Sequence, residues 1–313
     1  MWGINETYEL NTSSLILESN YTIQQNSPKN VLKTRFVITS VLMTFGLFGN
    51  TSIILVLKGF KGATSILTMY MAAFDSLSLI SKVVGYGLVN YSKDFGYLFC
   101  TTSSIPMHFC VTTANWTLVL ICIERFSSVF FPFQYRFIVS PRRVHVTMAT
   151  LICTLFVYSI LFNAMTQSYD DSSKRCIVIN ISSKIHVILL NCIGIAGPCL
   201  FTFSFTTPVI IRLKFVQTDF RQKSYQRQKS ERLLMRLMLS SAILFVILSM
   251  PAFIYFIFIS PFIQNEEIIQ IVGIFISLLW DLSHTFNFVV YLIFVKVFRK
   301  TFAQIICKKS RKV

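Results

Sequence analysis

Charge is scarce in this sequence. Only 13% of its 313 residues are Asp, Glu, Lys or Arg, against roughly 25% in an ordinary soluble domain, and that deficit argues against a water-soluble globule. Acidic residues are the rarer sign, 13 against 29 basic ones. Eight cysteines are too few for a disulfide scaffold in a chain of this length, and no CxxC or Cys/His spacing for zinc occurs. Most are expected to be apolar core residues. No internal repeat, low-complexity tract or long Gly/Ser linker is present. Neither a hydrolytic triad nor a phosphate-binding loop nor a metal cluster is visible, so no enzyme is expected. The opening MWGINETYEL has no basic stretch followed by an apolar one. No cleavable signal peptide is expected, and the first apolar segment must direct insertion.

Apolar residues are abundant, at 54%, and they are gathered into long runs near 36–57, 66–90, 102–131, 144–166, 185–213, 233–260 and 268–295. Each is long enough to cross a bilayer as a helix, which takes about 20 residues. The net charge of +16 would in a soluble protein raise the question of nucleic acid. Here it follows topology, because Lys and Arg collect in the cytoplasmic loops of membrane proteins. With the N-terminus outside, Lys58, Lys61, Arg136, Arg142, Arg143, the run from Arg212 to Arg236 and the basic tail all fall inside. The polar first 33 residues carry three glycosylation acceptors, Asn5, Asn11 and Asn20, and an outer loop carries Asn180. A further match at Asn90 lies close to the bilayer, and those at Asn50 and Asn115 fall inside apolar segments.

The order of polar residues inside those segments is more telling than any one of them. Asn50 lies in the first, Asp75 in the second, Glu124-Arg125-Phe126 at the inner end of the third, and Asn287-Phe288-Val289-Val290-Tyr291 late in the seventh. After Arg125 the chain reads ERFSSVFFPFQY. Over residues 36 to about 307 this resembles the rhodopsin-like (class A) G-protein-coupled receptors, and in texture, through SILTMYMAAFD and SHTFNFVVY, the invertebrate neuropeptide receptors.

The resemblance implies an all-α integral membrane protein, a seven-transmembrane helix bundle with a short amphipathic eighth helix. It divides the chain into an extracellular tail (1–33), the bundle (34–294) and an amphipathic helix with a basic cytoplasmic tail (295–313). It implies a disulfide between Cys100, at the outer end of the third helix, and Cys176 in the second outer loop, in an oxidising compartment. Glu124, Arg125, Phe126, Pro132, Phe133, Glu231 and Tyr291 would serve G-protein coupling and the resting latch. Of these, Phe133 takes the place of the residue that docks in the G-protein alpha subunit, and Glu231 that of an acidic partner for Arg125. Asp75, with Ser283 and Asn287, would hold a sodium ion as a modulator, although Ala114 stands where relatives often have serine. The ligand pocket would be lined by Lys82, Met107, Tyr255, Trp280 and Asp281. Phe298 and Phe302, four apart among basic residues, suit a helix lying on the inner leaflet, which makes Cys307 a candidate for palmitoylation.

Lys82 lies two turns outward from Asp75 on nearly the same helix face. Asp281 lies at similar depth on the seventh helix if Asp75 and Asn287 are level, so the two can pair, as an internal ion pair or as a split site for a zwitterionic or amidated ligand, since either charge alone in a bilayer is costly; the alternative is that Lys82 snorkels to the outer interface. The sequence also departs from the family. Ser249 replaces a tryptophan in helix six, Asn115 replaces a branched apolar residue, and Thr206 replaces a tyrosine. Phe288 replaces the proline of the last motif, which predicts a straighter inner end of helix seven. Met107 stands where amine receptors have an aspartate and Asp281 where opsins have a lysine, which points away from both. The outer acids Asp170, Asp171, Glu266 and Glu267 suit a basic peptide. The expected function is a plasma-membrane receptor that binds an extracellular ligand of peptide class and activates a heterotrimeric G protein. The alternatives are a secondary transporter, which usually shows an internal repeat, and a receptor-like chain that signals weakly.

The latch gives a first test. Glu231→Ala is expected to raise signalling without agonist, and unchanged basal activity at equal surface expression would remove the idea.

Overall fold

The computed structural model describes residues 29–60, 62–91, 102, 104–170, 175–178, 192–216, 225–255, 259 and 266–310. In chain order these form α1 (Lys29–Leu57), α2 (Ala63–Tyr91), α3 (Ile105–Phe130), α4 (Pro132–Ile138) and α5 (Pro141–Thr166). A hairpin of β1 (Gln167–Asp170) and β2 (Arg175–Val178) follows, then a π-helical turn (Cys192–Ala196) that runs into α6 (Gly197–Val216). The remaining helices are α7 (Tyr225–Ile254), α8 (Glu266–Thr285), α9 (Asn287–Phe294) and α10 (Lys296–Ser310). The spans of the seven-helix bundle are α1, α2, α3, α5, α6, α7 and the pair α8–α9. Among the described residues, five of these helices are long and apolar enough to cross a membrane unaided, and α8–α9 passes as a bent pair. In α7 the apolar part is the shorter stretch Met238–Ile254.

Helices are what this composition demands, because in hydrocarbon each backbone N–H and C=O must be paired within its own segment. The hydroxyls inside the spans obey the same constraint. Ser40, Thr68, Thr113 and Ser159 each donate to the carbonyl four residues back, at 2.7–2.8 Å. Large apolar side chains such as Val41, Phe45, Phe203 and Ile247 point outward and are exposed, as a lipid-facing surface requires. α3 occupies the centre, packing on α2, α5, α6 and α7.

Two prolines set local geometry through the groups they lack. Pro198 has no N–H, so the Gly194 carbonyl four residues earlier is left over. Asn115 Nδ2 donates to that carbonyl at 2.8 Å, and Trp116 Nε1 donates to the neighbouring Ile193 carbonyl at 3.0 Å. Asn115 therefore serves the π-helical turn of the fifth span rather than apolar packing. Pro132 disfavours helix at the residue before it, and Phe131 accordingly leaves α3 at φ −125°, ψ 56°. The chain restarts at once as α4, with the proline in its first turn.

The expected straightness of the seventh span is corrected: α8 and α9 meet at 54° without any proline. The cause is the Asn287 side chain, whose Nδ2 donates to the Ser283 carbonyl at 3.3 Å. It thereby competes for the acceptor that its own backbone N–H would use in a straight helix. The eighth helix also differs from expectation. Phe298 is fully buried against Phe288 and Tyr291, at ring separations of 5.9 and 5.7 Å, so it anchors α10 to the bundle instead of facing the leaflet. The short hairpin, in which Tyr169 pairs with Cys176, is a small β element outside the bundle.

α1 and α9 approach closely because Gly49 has no side chain: a Cβ there would lie 2.7 Å from Phe288 Cβ. That neighbour is fixed to its backbone and has nowhere to go. Gly49→Val is therefore expected to cost about 1–3 kcal/mol by overpacking, read as a lower melting temperature in detergent. Gly59→Ala, where a Cβ meets nothing within 4 Å, should leave melting unchanged.

Candidate functional site

Helical spacing lines up Asp75, Ser78, Lys82 and Tyr86 along one face of α2, and Ser277, Asp281 and His284 along one face of α8. Where these faces meet, the bundle holds a column of polar contacts in three layers. In the outermost, Arg35 of α1 is buried, at 8% exposure. Its Nη2 donates to Ser277 Oγ at 3.0 Å, and the guanidinium carbon sits 4.6 Å from the centre of the Tyr86 ring. Among the described residues no carboxylate partners this arginine. One turn deeper, Lys82 Nζ donates to Asp281 Oδ1 in a buried ion pair. The ammonium also lies 5.3 Å from the Trp280 ring, a cation–π contact that holds it between the second and seventh spans.

The third layer is centred on Asp75. His284 Nδ1 lies 2.7 Å from its Oδ1, and Asn287 Nδ2 donates to its Oδ2 at 3.2 Å. Asn50 Nδ2 reaches the His284 carbonyl at 3.3 Å and ties in the first span. The three residues expected to hold sodium thus do not form an oxygen shell. Both carboxylate oxygens of Asp75 are engaged by nitrogen groups, and the Ser283 hydroxyl donates to the Trp280 carbonyl at 2.7 Å. Ala114 offers no side-chain oxygen.

At the inner end, Glu124 and Arg125 are both buried, with Arg125 Nε 2.8 Å from Glu124 Oε2. The same carboxylate accepts from Thr64 Oγ1 of α2 and from Tyr135 OH of α4, so it joins three helices. Phe126 stacks on Phe130 at 4.5 Å and meets Phe205 of the fifth span edge-on at 5.4 Å. Tyr291, fully buried, shares a hydroxyl–hydroxyl hydrogen bond with Ser241 of the sixth span. Pro132 is exposed at the start of α4, and Phe133 beside it is 82% exposed.

The structure therefore brings together Lys82, Asp281 and Trp280, Asp75 with Asn287, and Glu124 with Arg125. Tyr255 is buried on the sixth span against Gly273 of the seventh, and Met107 is half-buried on α3. Cys100 and the acceptors Asn5, Asn11, Asn20 and Asn180 lie outside the described residues, as do the side chains of Cys176, Glu231 and Cys307. Sequence reasoning missed Arg35, His284, Thr64 and Ser241. His284 carried a usable signal, being three residues from both Asp281 and Asn287 and so on their face of the helix. Arg35 carried none, since a cation near the end of a span usually snorkels to the headgroups.

A bundle of this kind, with an inner Glu-Arg-Phe sequence held by helix two and an inner-loop helix, defines a seven-transmembrane receptor. The pattern of the 7 transmembrane receptor (rhodopsin family) matches residues 49–291, and the chain belongs to that family of G-protein-coupled receptors. That membership sets aside the transporter alternative. Among curated relatives the chain is similar to the Type-1 angiotensin II receptor A of Xenopus laevis, 22% identical over 201 residues. The match takes in 60% of this chain and 56% of that relative, so the chain spans little more than half its length.

Removing one partner from the Lys82–Asp281 pair strands a buried charge. Lys82→Ala and Asp281→Ala are each expected to cost about 3–5 kcal/mol, while Lys82→Leu combined with Asp281→Leu should recover most of that loss. Thermal melting of the purified receptor reads both, and single variants as stable as the wild type would remove the pair as a structural element.

Proposed function

We propose that this chain is a plasma-membrane receptor, N-terminus outside and C-terminus in the cytoplasm, that binds an extracellular peptide and activates a heterotrimeric G protein. The observation that carries this reading is the inner end of the third span. Glu124 and Tyr135 fix α4 against α2 and α3, and the fixed helix presents Phe133, a large apolar side chain, almost wholly to the aqueous side. An exposed aromatic on a rigid support is the usual form of a docking anchor.

On the outer side the peptide reading is supported by Arg35 and by the relative named for angiotensin II. The Lys82–Asp281 pair, closed on itself, forms the floor of the proposed ligand site. Arg35 above it is the cation left for an acidic group of the ligand, a carboxylate engaging the donors that Ser277 does not use. Met107, Tyr255 and Trp280 supply the apolar walls. A ligand that binds better when the inner end of the sixth span is displaced shifts the population toward that state, and the difference in affinity supplies the energy. The Tyr291–Ser241 bond is one contact that such a displacement would break.

The test is G-protein activation in cells, basal and after a peptide library, with Arg125→Ala as the inactive control. Phe133→Ala should leave surface expression unchanged, because the side chain is 82% exposed, and should weaken G-protein affinity roughly tenfold or more. Arg35→Gln should weaken peptides with free acidic groups more than their amidated counterparts. Silence of the wild-type chain at verified surface expression would overturn the signalling reading.

A further inference from the structure

The environment of Asp75 differs from a cation site in the kind of group it presents. A sodium ion is a hard cation held by several oxygen atoms. Around this carboxylate the structure places nitrogen: His284 Nδ1 at 2.7 Å from one oxygen and Asn287 Nδ2 at 3.2 Å from the other. An ionised carboxylate only accepts, so with His284 in the tautomer that carries its proton on Nδ1 both contacts are made by N–H groups, one on each oxygen of Asp75.

The nearby oxygens already make hydrogen bonds of their own. Ser283 Oγ donates to the Trp280 carbonyl at 2.7 Å, Ser78 Oγ to the Asp75 carbonyl at 2.8 Å, and the Ser283 carbonyl accepts from Asn287 at 3.3 Å. One acceptor in the region, Asn50 Oδ1, has no partner among the described residues, and one oxygen does not make a coordination shell. The imidazole itself is buried, at 3% exposure. Its position is fixed from the backbone side by the Asn50 amide on the His284 carbonyl and from the ring side by Trp280, 6.4 Å away between centroids.

We propose that the His284 imidazole takes the cation's place beside Asp75, so that the centre between the second and seventh spans is closed by a protein N–H and this receptor takes up no sodium there. The inference needs only the N–H donor and the place it occupies. It is independent of the ligand, and it predicts that a receptor of this composition is set by sequence where others would be set by the salt outside the cell. Truncating the ring uncovers the carboxylate, and a serine hydroxyl in its place restores an oxygen.

The experiment is thermal melting of purified full-length receptor in detergent, in sodium chloride against choline chloride at equal ionic strength. The wild-type chain should melt at the same temperature in both. His284→Ser should melt higher in sodium, by at least about 2 °C, the size of shift that binding worth roughly one kcal/mol produces in a chain of this length, and Asp75→Asn added to it should abolish the difference. A sodium-specific rise in the wild type overturns the proposal. So does a flat response in both His284→Ser and His284→Ala when each still melts cooperatively, because something other than His284 would then exclude the ion. Should neither variant fold, the wild-type comparison decides alone, a flat response upholding the proposal and a rise ending it.

Discussion

A carboxylate at the middle of a bilayer must find donors within reach of its own helix or lose the bundle. Asp75 finds both of its donors on the seventh span, in His284 and Asn287, and much else follows from that. The two spans are held in register, which sets Lys82 level with Asp281. Asn287, occupied by Asp75 on one side and by the Ser283 carbonyl on the other, bends the span at its own position. The bend delivers Phe288 to Gly49 and Tyr291 to Ser241. The inner end of the seventh span is thus placed by a polar contact near the membrane centre.

The departures from the family pattern have a common logic, in which a group removed in one place is answered in another. Proline is missing after Asn287, yet the asparagine amide produces the bend. An apolar residue is missing at Asn115, yet its amide closes the carbonyl that Pro198 leaves open. Thr206, in place of an aromatic hydroxyl, reaches Cys122 Sγ of the third span at 3.5 Å. Each answer is a short side chain making a local hydrogen bond, within the seventh span for Asn287 and across a helix interface for Asn115 and Thr206.

Much of this was legible in the sequence because a membrane leaves few choices. Length and apolarity alone mark the spans, and the cost of a lone charge in lipid pairs Lys82 with Asp281 across two helices. What escaped depends on direction rather than on residue type. Histidine near an intramembrane aspartate can donate to it, line a cavity or pack as a ring, and only the helix phase seen in three dimensions selects the first. Arg35 has the sequence context of an interface anchor, and nothing along the chain shows that its guanidinium turns inward over Tyr86. The bend at Asn287 was misread because the missing proline was weighed and the asparagine's own hydrogen-bonding capacity was not.

The order of charges along the column has its own physical reason. The two inner layers are closed, Asp281 by Lys82 and Asp75 by His284 and Asn287, while Arg35, which has no ionic partner among the described residues, is the outermost. The cost of an unpaired charge falls steeply toward the membrane surface, and the guanidinium of Arg35 offsets part of it by its cation–π contact with the Tyr86 ring. Reversing the order, with an open charge at the depth of Asp75, would make the unliganded bundle unstable. Placing it at the end of the column keeps the bundle folded with the remaining donors of the guanidinium uncommitted to a buried carboxylate among the described residues. Because Ser277 and Asp281 are successive turns of one helix, Arg35 and Lys82 are both held by the span whose other end carries Tyr291.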